Sequence, residues 1–318
     1  MSDKIAFLFP GQGSQFIGMG QNLVSEFPKA KDIFEKVDGI CQKPISKLCF
    51  DGPMTELTLT ENLQPAITAV NLACLFALNV SGVSSSVTAG HSLGEYAALV
   101  SAGVISGYDA FRLVQKRGEL MNREALKNPG GMAAIIGMDI DVVQEIVTQA
   151  KGEDILSIAN HNTAEQIVIT GQKEPLSRAI NLVKERKARA IPLNVSGAWH
   201  SKLMEKAVDD FRHFMKDIHF SKPKSKILLN ATGESEVDPV SIKNIMAKQL
   251  ISPVKWYDIM MNMLQDGANT FVEVGPKKVL TGLLKKIVNS GKNIKIFNVE
   301  DAQGLKTFLK EVSIPSPN

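Results

Sequence analysis

Apolar positions along this chain switch between two periods, and the switching predicts strands and helices in alternation. "KIAFLF" (4–9) is an unbroken apolar run ending at Pro10, the mark of a buried strand. "GQGSQFIGMGQNL" (11–23) is a glycine-rich turn entering a helix, and "ENLQPAITAVNLACLFAL" (61–78) predicts a strongly apolar helix. "SSSVTAG" (84–90) predicts a short strand. "GYDAFRLVQKRGELMNREAL" (107–126) predicts a long amphipathic helix that stops near Asn128-Pro129-Gly130-Gly131.

From there the texture changes. "GMAAIIG" (131–137) reads as a strand, "DIDVVQEIVTQAK" (139–151) as a helix, and "DILSIANHN" (154–162) and "EQIVITG" (165–171) as two strands. "KEPLSRAINLVKERK" (173–187) is a helix and "ARAIPLNV" (188–195) a strand. That order, βαββαβ over roughly seventy residues, predicts a ferredoxin-like subdomain at 128–196. Helix and strand then alternate again. "SKLMEKAVDDFRHFMKDI" (201–218), "VSIKNIMAKQLI" (240–251), "VKWYDIMMNMLQDG" (254–267) and "KKVLTGLLKKI" (277–287) predict helices, interleaved with strands at "SKILLN" (225–230) and "NTFVEVGP" (269–276). Such alternation argues for a mostly parallel sheet wrapped on both faces, its core built from residues 1–127 and 197–318. Only "SIPSPN" (313–318) reads as loose.

Composition narrows the class. With 318 residues, 44% hydrophobic and 22% charged, the chain can bury a large core, and disorder is not expected over most of its length. A net charge of +3 is too small to argue for nucleic-acid binding. Cys41, Cys49 and Cys74 form no C-x-x-C pair, which argues against a disulfide scaffold or a cysteine zinc site and for reduced thiols. The apolar run before Pro10 is too short for a signal peptide, and no segment reads as the ~18 apolar residues of a membrane span. A soluble cytoplasmic protein is the expectation.

Candidate chemistry begins at Gly90-His91-Ser92-Leu93-Gly94, a G-x-S-x-G motif placed where a strand turns into a helix. Two readings fit: a helix-capping Gly-Ser turn, or a nucleophile elbow that projects the Ser92 hydroxyl above the sheet. A nucleophilic serine needs a base. Of the five histidines, His91 points away from its neighbour on a sharp turn, and His213 and His219 read as surface. His161, at the end of a strand, is either structural or site-lining. His200, in "LNVSGAWHSKLM", lies on a loop at a strand exit, where α/β enzymes place catalytic groups; a capping or packing role also fits. No aspartate or glutamate stands out as a third triad member. Arg117 falls on the margin of its helix's apolar face, between Leu113 and Met121. An inward guanidinium wants an anion, and on sequence alone a protein carboxylate or a snorkelling stem is the nearer explanation. "GQGSQFIGMG" lacks the lysine of a P-loop and the glycine spacing of a dinucleotide fingerprint; it is a turn that can offer backbone donors and the Gln12 amide.

Taken in order, "FPGQGSQ", "GHSLGEYAAL", "QKRGELM", "GMAAIIG", "ANHNTAEQIVITG", "VSGAWHSKLM", "QLISPVKW" and "FVEVGP" resemble the segments of malonyl-CoA:acyl carrier protein transacylases over essentially the whole chain. The resemblance implies an α/β-hydrolase-like core with a ferredoxin-like insert. It implies Ser92 as the serine that becomes malonylated and His200 as its general base, oriented by backbone carbonyl in "QLISPV" (249–254), with Gln249, at the start of that loop, as a substrate-binding residue. It further implies oxyanion donors at the backbone N–H groups of Gln12 and Leu93, and Arg117 as the grip on malonyl's free carboxylate. Asn160 and Asn162 would stand at the lip of the cleft. Trp199, in Gly197-Ala198-Trp199-His200, would favour malonyl over methylmalonyl by its bulk, with Leu93 acting the same way.

The implied chemistry is ping-pong, with no metal or redox cofactor; the CoA thioester and the carrier's phosphopantetheine arm are substrates. A monomer is expected, with an acidic carrier protein docking on basic stretches such as 183–189 or 275–286. A trans-acting acyltransferase of polyketide or polyunsaturated fatty-acid synthesis would look almost the same. A serine esterase or thioesterase would have no use for an inward Arg117, and a non-catalytic docking scaffold no use for an intact Ser92, His200 and Arg117.

Overall fold

In the computed structural model, which describes residues 4–288 and 294–312, the apolar run at the start of the chain is the middle strand of a five-stranded sheet. The strands in chain order are β1 (Ile5–Phe9), β2 (Val87–Gly90), β3 (Gly130–Ile136), β4 (Leu156–Thr163), β5 (Gln166–Gln172), β6 (Arg189–Pro192), β7 (Lys226–Ile227), β8 (Thr270–Val274) and β9 (Lys295–Val299). The larger sheet has the order β7-β2-β1-β8-β9, and every pairing in it is parallel. β1 has no polar face because both its faces are covered. Phe7 and Phe9 pack into a core with the helices Thr60–Val80 and Gly107–Lys127; Ala6 and Leu8 face a second core under Trp256–Gln265 and Val279–Ile287. Each of Phe7, Leu8 and Phe9, taken out of water, contributes about 1.5–3 kcal/mol.

The helix Thr60–Val80 is, by length and apolarity, able to cross a membrane, which differs from the sequence expectation that no segment is. Its most apolar stretch is 83% buried inside the protein, where it packs against the helix Gly107–Lys127. That all-round burial explains why it carries so little polar surface.

A smaller antiparallel sheet has the order β4-β5-β3-β6, with the helices Ile140–Lys151 and Lys173–Glu185 on one face, as a ferredoxin-like βαββαβ unit requires. The strand period assigns its faces. Ala133, Ile135, Ile167 and Ile169 pack under those helices, while Met132, Ala134 and Val168 turn toward the larger sheet.

Three short helices, Lys31–Cys41, Ile45–Phe50 and Met54–Leu57, fill a stretch to which the sequence reading assigned nothing; β9 and the helix Ala302–Glu311 were likewise not foreseen. The strand expected at 225–230 is regular only over Lys226–Ile227, with one further backbone bond to β2 from Leu228. The segment 313–318 lies outside the described residues.

Candidate active site

β2 ends at Gly90, and the chain reverses through Ser92 into a short 3-10 turn and the helix Glu95–Ser101. The reversal brings backbone against backbone. A Cβ on Gly90 would sit 2.0 Å from the Gly94 carbonyl carbon, and one on Gly94 would sit 2.0 Å from the Phe9 oxygen. Both glycines are therefore dictated by close approach. Gly94→Ala is expected to cost more than about 3 kcal/mol, read by urea unfolding; wild-type stability would show that the turn relaxes freely. Ser92 itself has φ 50°, a left-handed conformation that costs a non-glycine residue about 1–3 kcal/mol. Its hydroxyl caps no helix. Instead Oγ lies 2.8 Å from His200 Nε2, which excludes the capping reading.

His200 is buried, and its Nδ1 lies 3.0 Å from the Gln249 carbonyl and 3.0 Å from that of Ser252. Two carbonyl acceptors hold the proton on Nδ1 and leave the Nε2 lone pair facing the serine. This supplies what a triad carboxylate would, without its charge. Burial, then the nearby Arg117 cation, draw the imidazole pKa down to about 3.

Arg117 is 1% exposed, brought inward where Gly118 lets its helix pass close to Glu61 of the helix Thr60–Val80. Its fork donates to Gln64 Oε1 (2.9 Å), Gln249 Oε1 (3.2 Å) and Ser92 Oγ (3.2 Å). These partners are neutral, so neither the snorkelling stem nor the direct carboxylate pair weighed from sequence is what occurs among the described residues. Glu95 is the nearest buried acid, and burial raises its carboxyl to about 7, so it offsets the guanidinium only in part.

A cavity of about 290 Å³ opens above Ser92 between the two sheets. Gln12, Asn160, Asn162, Trp199 and His200 line it, with Leu280 and Leu283 from the helix after β8. Gly11 packs so close to the elbow that a Cβ there would lie 3.5 Å from Leu93 N, which makes the Gln12 and Leu93 backbones neighbours beside Ser92. Asn162 Oδ1 accepts from His91 Nε2 at 2.8 Å, and Asn160 pairs with Val254 next to the His200 loop.

Two expectations change in detail, and one open reading closes. Gln249, expected to contact substrate, lies behind the serine: its Nε2 donates to Ser92 O (2.9 Å) and Glu95 Oε2 (2.5 Å). Leu93, expected to bias acyl choice by its side chain, buries that side chain in the core and leaves Trp199 as the aromatic wall. His161 faces away from the cavity, its ring tilted against that of Tyr257 at 4.9 Å, because β4 alternates and Asn160 and Asn162 take the inward side. Glu95, Asn230, Gln64 and Ser252 were not singled out, yet each bonds a residue of the Ser92–His200 pair or its supports. A buried glutamate in an apolar helix and a glutamine before Pro65 were the available signals.

A serine hydroxyl at the carboxyl end of a parallel sheet, within hydrogen-bond reach of a buried histidine on one side and a buried guanidinium on the other, is an arrangement suited to an enzyme that moves acyl groups. Residues 6–307 match the acyl transferase domain family. The chain is 41% identical over 310 residues to malonyl CoA-acyl carrier protein transacylase of Bacillus subtilis (strain 168), covering 97% of this chain and 98% of that protein. It superposes with a TM-score of 0.91 on an acyl carrier protein S-malonyltransferase from Vibrio cholerae, 38% identical, covering 96% of this chain and 99% of that one. A malonyl-transacylase in complex with its type II polyketide synthase acyl-carrier protein superposes with a TM-score of 0.92 at 36% identity, covering 97% and 99%. This chain belongs to the malonyl CoA-acyl carrier protein transacylase family.

Proposed function

We propose that this enzyme carries malonyl from malonyl-CoA to the phosphopantetheine thiol of an acyl carrier protein, with Ser92 holding the group in between. Ser92 Oγ attacks the thioester carbonyl as His200 Nε2 takes its proton. The oxyanion is received by the backbone N–H groups of Gln12 and Leu93. Collapse expels the CoA thiolate, which recovers the proton from His200 and leaves a malonyl ester on Ser92. The carrier thiol then gives its proton to His200 and attacks the ester; the bond to Ser92 Oγ breaks, malonyl stays on the carrier sulfur, and His200 returns the proton to Ser92 Oγ. The steps balance with proton transfers alone, so the scheme calls on no metal or redox cofactor.

The observation that carries this reading is the Arg117 guanidinium, held by neutral partners and reaching Ser92 Oγ at 3.2 Å. A cation there suits an acyl group that ends in a carboxylate; a hydrolase of neutral esters gains nothing from it. Trp199 supports an unbranched malonyl. Every group in the scheme comes from one chain, which supports action as a monomer, and buried free thiols at Cys41, Cys49 and Cys74 fit a cytoplasmic setting. Of the two basic stretches, 275–286 contributes Val279, Leu280 and Leu283 to the cavity, which favours it as the carrier's approach. Fatty-acid synthesis is the pathway proposed; service to a polyketide carrier is the second reading, favoured by the superposed carrier complex.

Intact-mass spectrometry tests the scheme. The protein should gain one malonyl on Ser92 from malonyl-CoA and lose it to holo-carrier, loading poorly from acetyl-CoA. A protein that stays unmodified, or that sheds malonyl to water as fast as to carrier, overturns it. Offering fatty-acid and polyketide carriers together separates the two pathways.

A further inference from the structure

Beyond β7 the backbone still runs beside β2: Leu228 N–H donates to Thr88 O at 3.1 Å. Continuing that parallel ladder would bring the Asn230 N–H to the Gly90 carbonyl. The side chain goes there instead. Asn230 Nδ2 donates to Gly90 O at 2.7 Å, and Oδ1 accepts from Ser92 N–H at 2.6 Å. One carboxamide thus spans His91 and holds the turn on both sides of it.

The remaining polar groups of Asn230 reach the other half of the site. Its N–H donates to Glu95 Oε1 at 2.7 Å, and its carbonyl accepts from Lys255 N–H at 3.0 Å, beside the loop whose carbonyls hold His200. Glu95's second oxygen accepts from Gln249 Nε2 at 2.5 Å, and the same nitrogen donates to Ser92 O at 2.9 Å. Glu95 and Asn230 are both fully buried. Two peptide planes meet at Ser92, and both are held: the one before it through its N–H by Asn230, the one after it through its C=O by Gln249. A peptide is planar and trans, so fixing Ser92 O also fixes the direction of the Leu93 N–H, which points the opposite way.

We infer that Glu95 and Asn230 are positioning residues: with Gln249 they form a buried clamp that sets the Ser92 hydroxyl against His200 and aims the Leu93 N–H at the forming oxyanion. The inference rests on Ser92 being the nucleophile. A residue in the left-handed region is not held there by its own preference, and the clamp supplies the hold. Loosening it should slow bond formation and leave binding intact.

Two variants test the clamp. In Asn230→Ala the rate constant for acylation of Ser92 by malonyl-CoA, followed by rapid-quench mass spectrometry, should fall about 10²-fold. In the near-isosteric Glu95→Gln, which keeps the shape but offers a donor where one N–H needs an acceptor, it should fall about 10-fold. The Kd for malonyl-CoA, measured by calorimetry with each change placed in a Ser92→Ala background, should stay within about twofold, whereas a merely structural role would weaken both. A fluorophosphonate provides a second probe, because it labels an activated serine and uses the same oxyanion donors without a carboxylate. Its labelling should slow in parallel. If the wild type takes the fluorophosphonate and not malonyl, the substrate reading fails and the labelling rates alone judge the clamp. Rates within about threefold of wild type in Glu95→Gln overturn the inference, as does a rate loss matched by an equal loss of affinity. Should Asn230→Ala fail to fold, Glu95→Gln decides by itself.

Discussion

Replacing His200 with alanine is expected to slow acylation of Ser92 by about 10⁴-fold or more while leaving malonyl-CoA affinity nearly unchanged. Nε2 is the group 2.8 Å from Ser92 Oγ that can take its proton, and the imidazole binds no part of the malonyl carboxylate in the scheme. Its pH behaviour follows from what surrounds it. Activity requires the neutral ring, so it is present above the pKa and lost as pH falls through it. With the pKa drawn to about 3 by burial and then by Arg117, His200 should give kcat/KM no acid limb between about pH 5 and 8. The loss expected in that range is a partial one, about tenfold, as Glu95, raised to about 7 by burial, takes a proton and one clamp N–H loses its acceptor; Glu95→Gln abolishes that step. A substrate carboxylate seated on Arg117 offsets one of the charges that lower that pKa. The acid limb of kcat, which reports the complex, should therefore lie at higher pH than that of kcat/KM, which reports the free enzyme. Stopped-flow rates down to about pH 4 check both limbs. In Glu95→Gln, where that carboxyl no longer titrates, a kcat/KM limb at the ordinary imidazole value near 6.5 would mean that His200 titrates as though open to water.

Some of this was legible in the sequence because it has a local cause. Gly90 and Gly94 are needed wherever a strand folds back that tightly, so their spacing alone points to an elbow. The smaller sheet announces itself because its strands alternate: Met132 and Ala134 to one side, Ala133 and Ile135 to the other. Arg117 was legible as misplaced but not as partnered. Its contacts come from Ser92, Gln64 and Gln249, which lie 25, 53 and 132 residues away, and only the fold brings them together. Asn230 was illegible for a related reason, since a polar residue ending a strand looks like any strand end until the ladder is seen to continue through its side chain. The helices Ile45–Phe50 and Met54–Leu57 are shorter than the window over which a helical period can be counted.

The second large effect concerns choice of substrate. Arg117→Ala is expected to lower kcat/KM for malonyl-CoA by about 100–4,000-fold, because removing one partner of a buried charge pair costs about 3–5 kcal/mol and each 1.4 kcal/mol is about tenfold. Acetyl-CoA has no carboxylate to lose a partner. It forfeits only the hydrogen bond from the guanidinium to Ser92 Oγ, a loss of about tenfold, so the malonyl-to-acetyl ratio should narrow by about 10–400-fold. Arg117→Lys should recover malonyl only in part, since one ammonium cannot reproduce the planar fork that serves Gln64, Gln249 and Ser92 together. Deleting the guanidinium also strips the Gln64 and Gln249 oxygens of a donor and is expected to lower stability. That damage falls on both substrates alike, whereas a role in selection changes their ratio. An unchanged ratio in a folded Arg117→Ala protein would leave the cation as a brace for Gln249 and remove it from recognition of the acyl group.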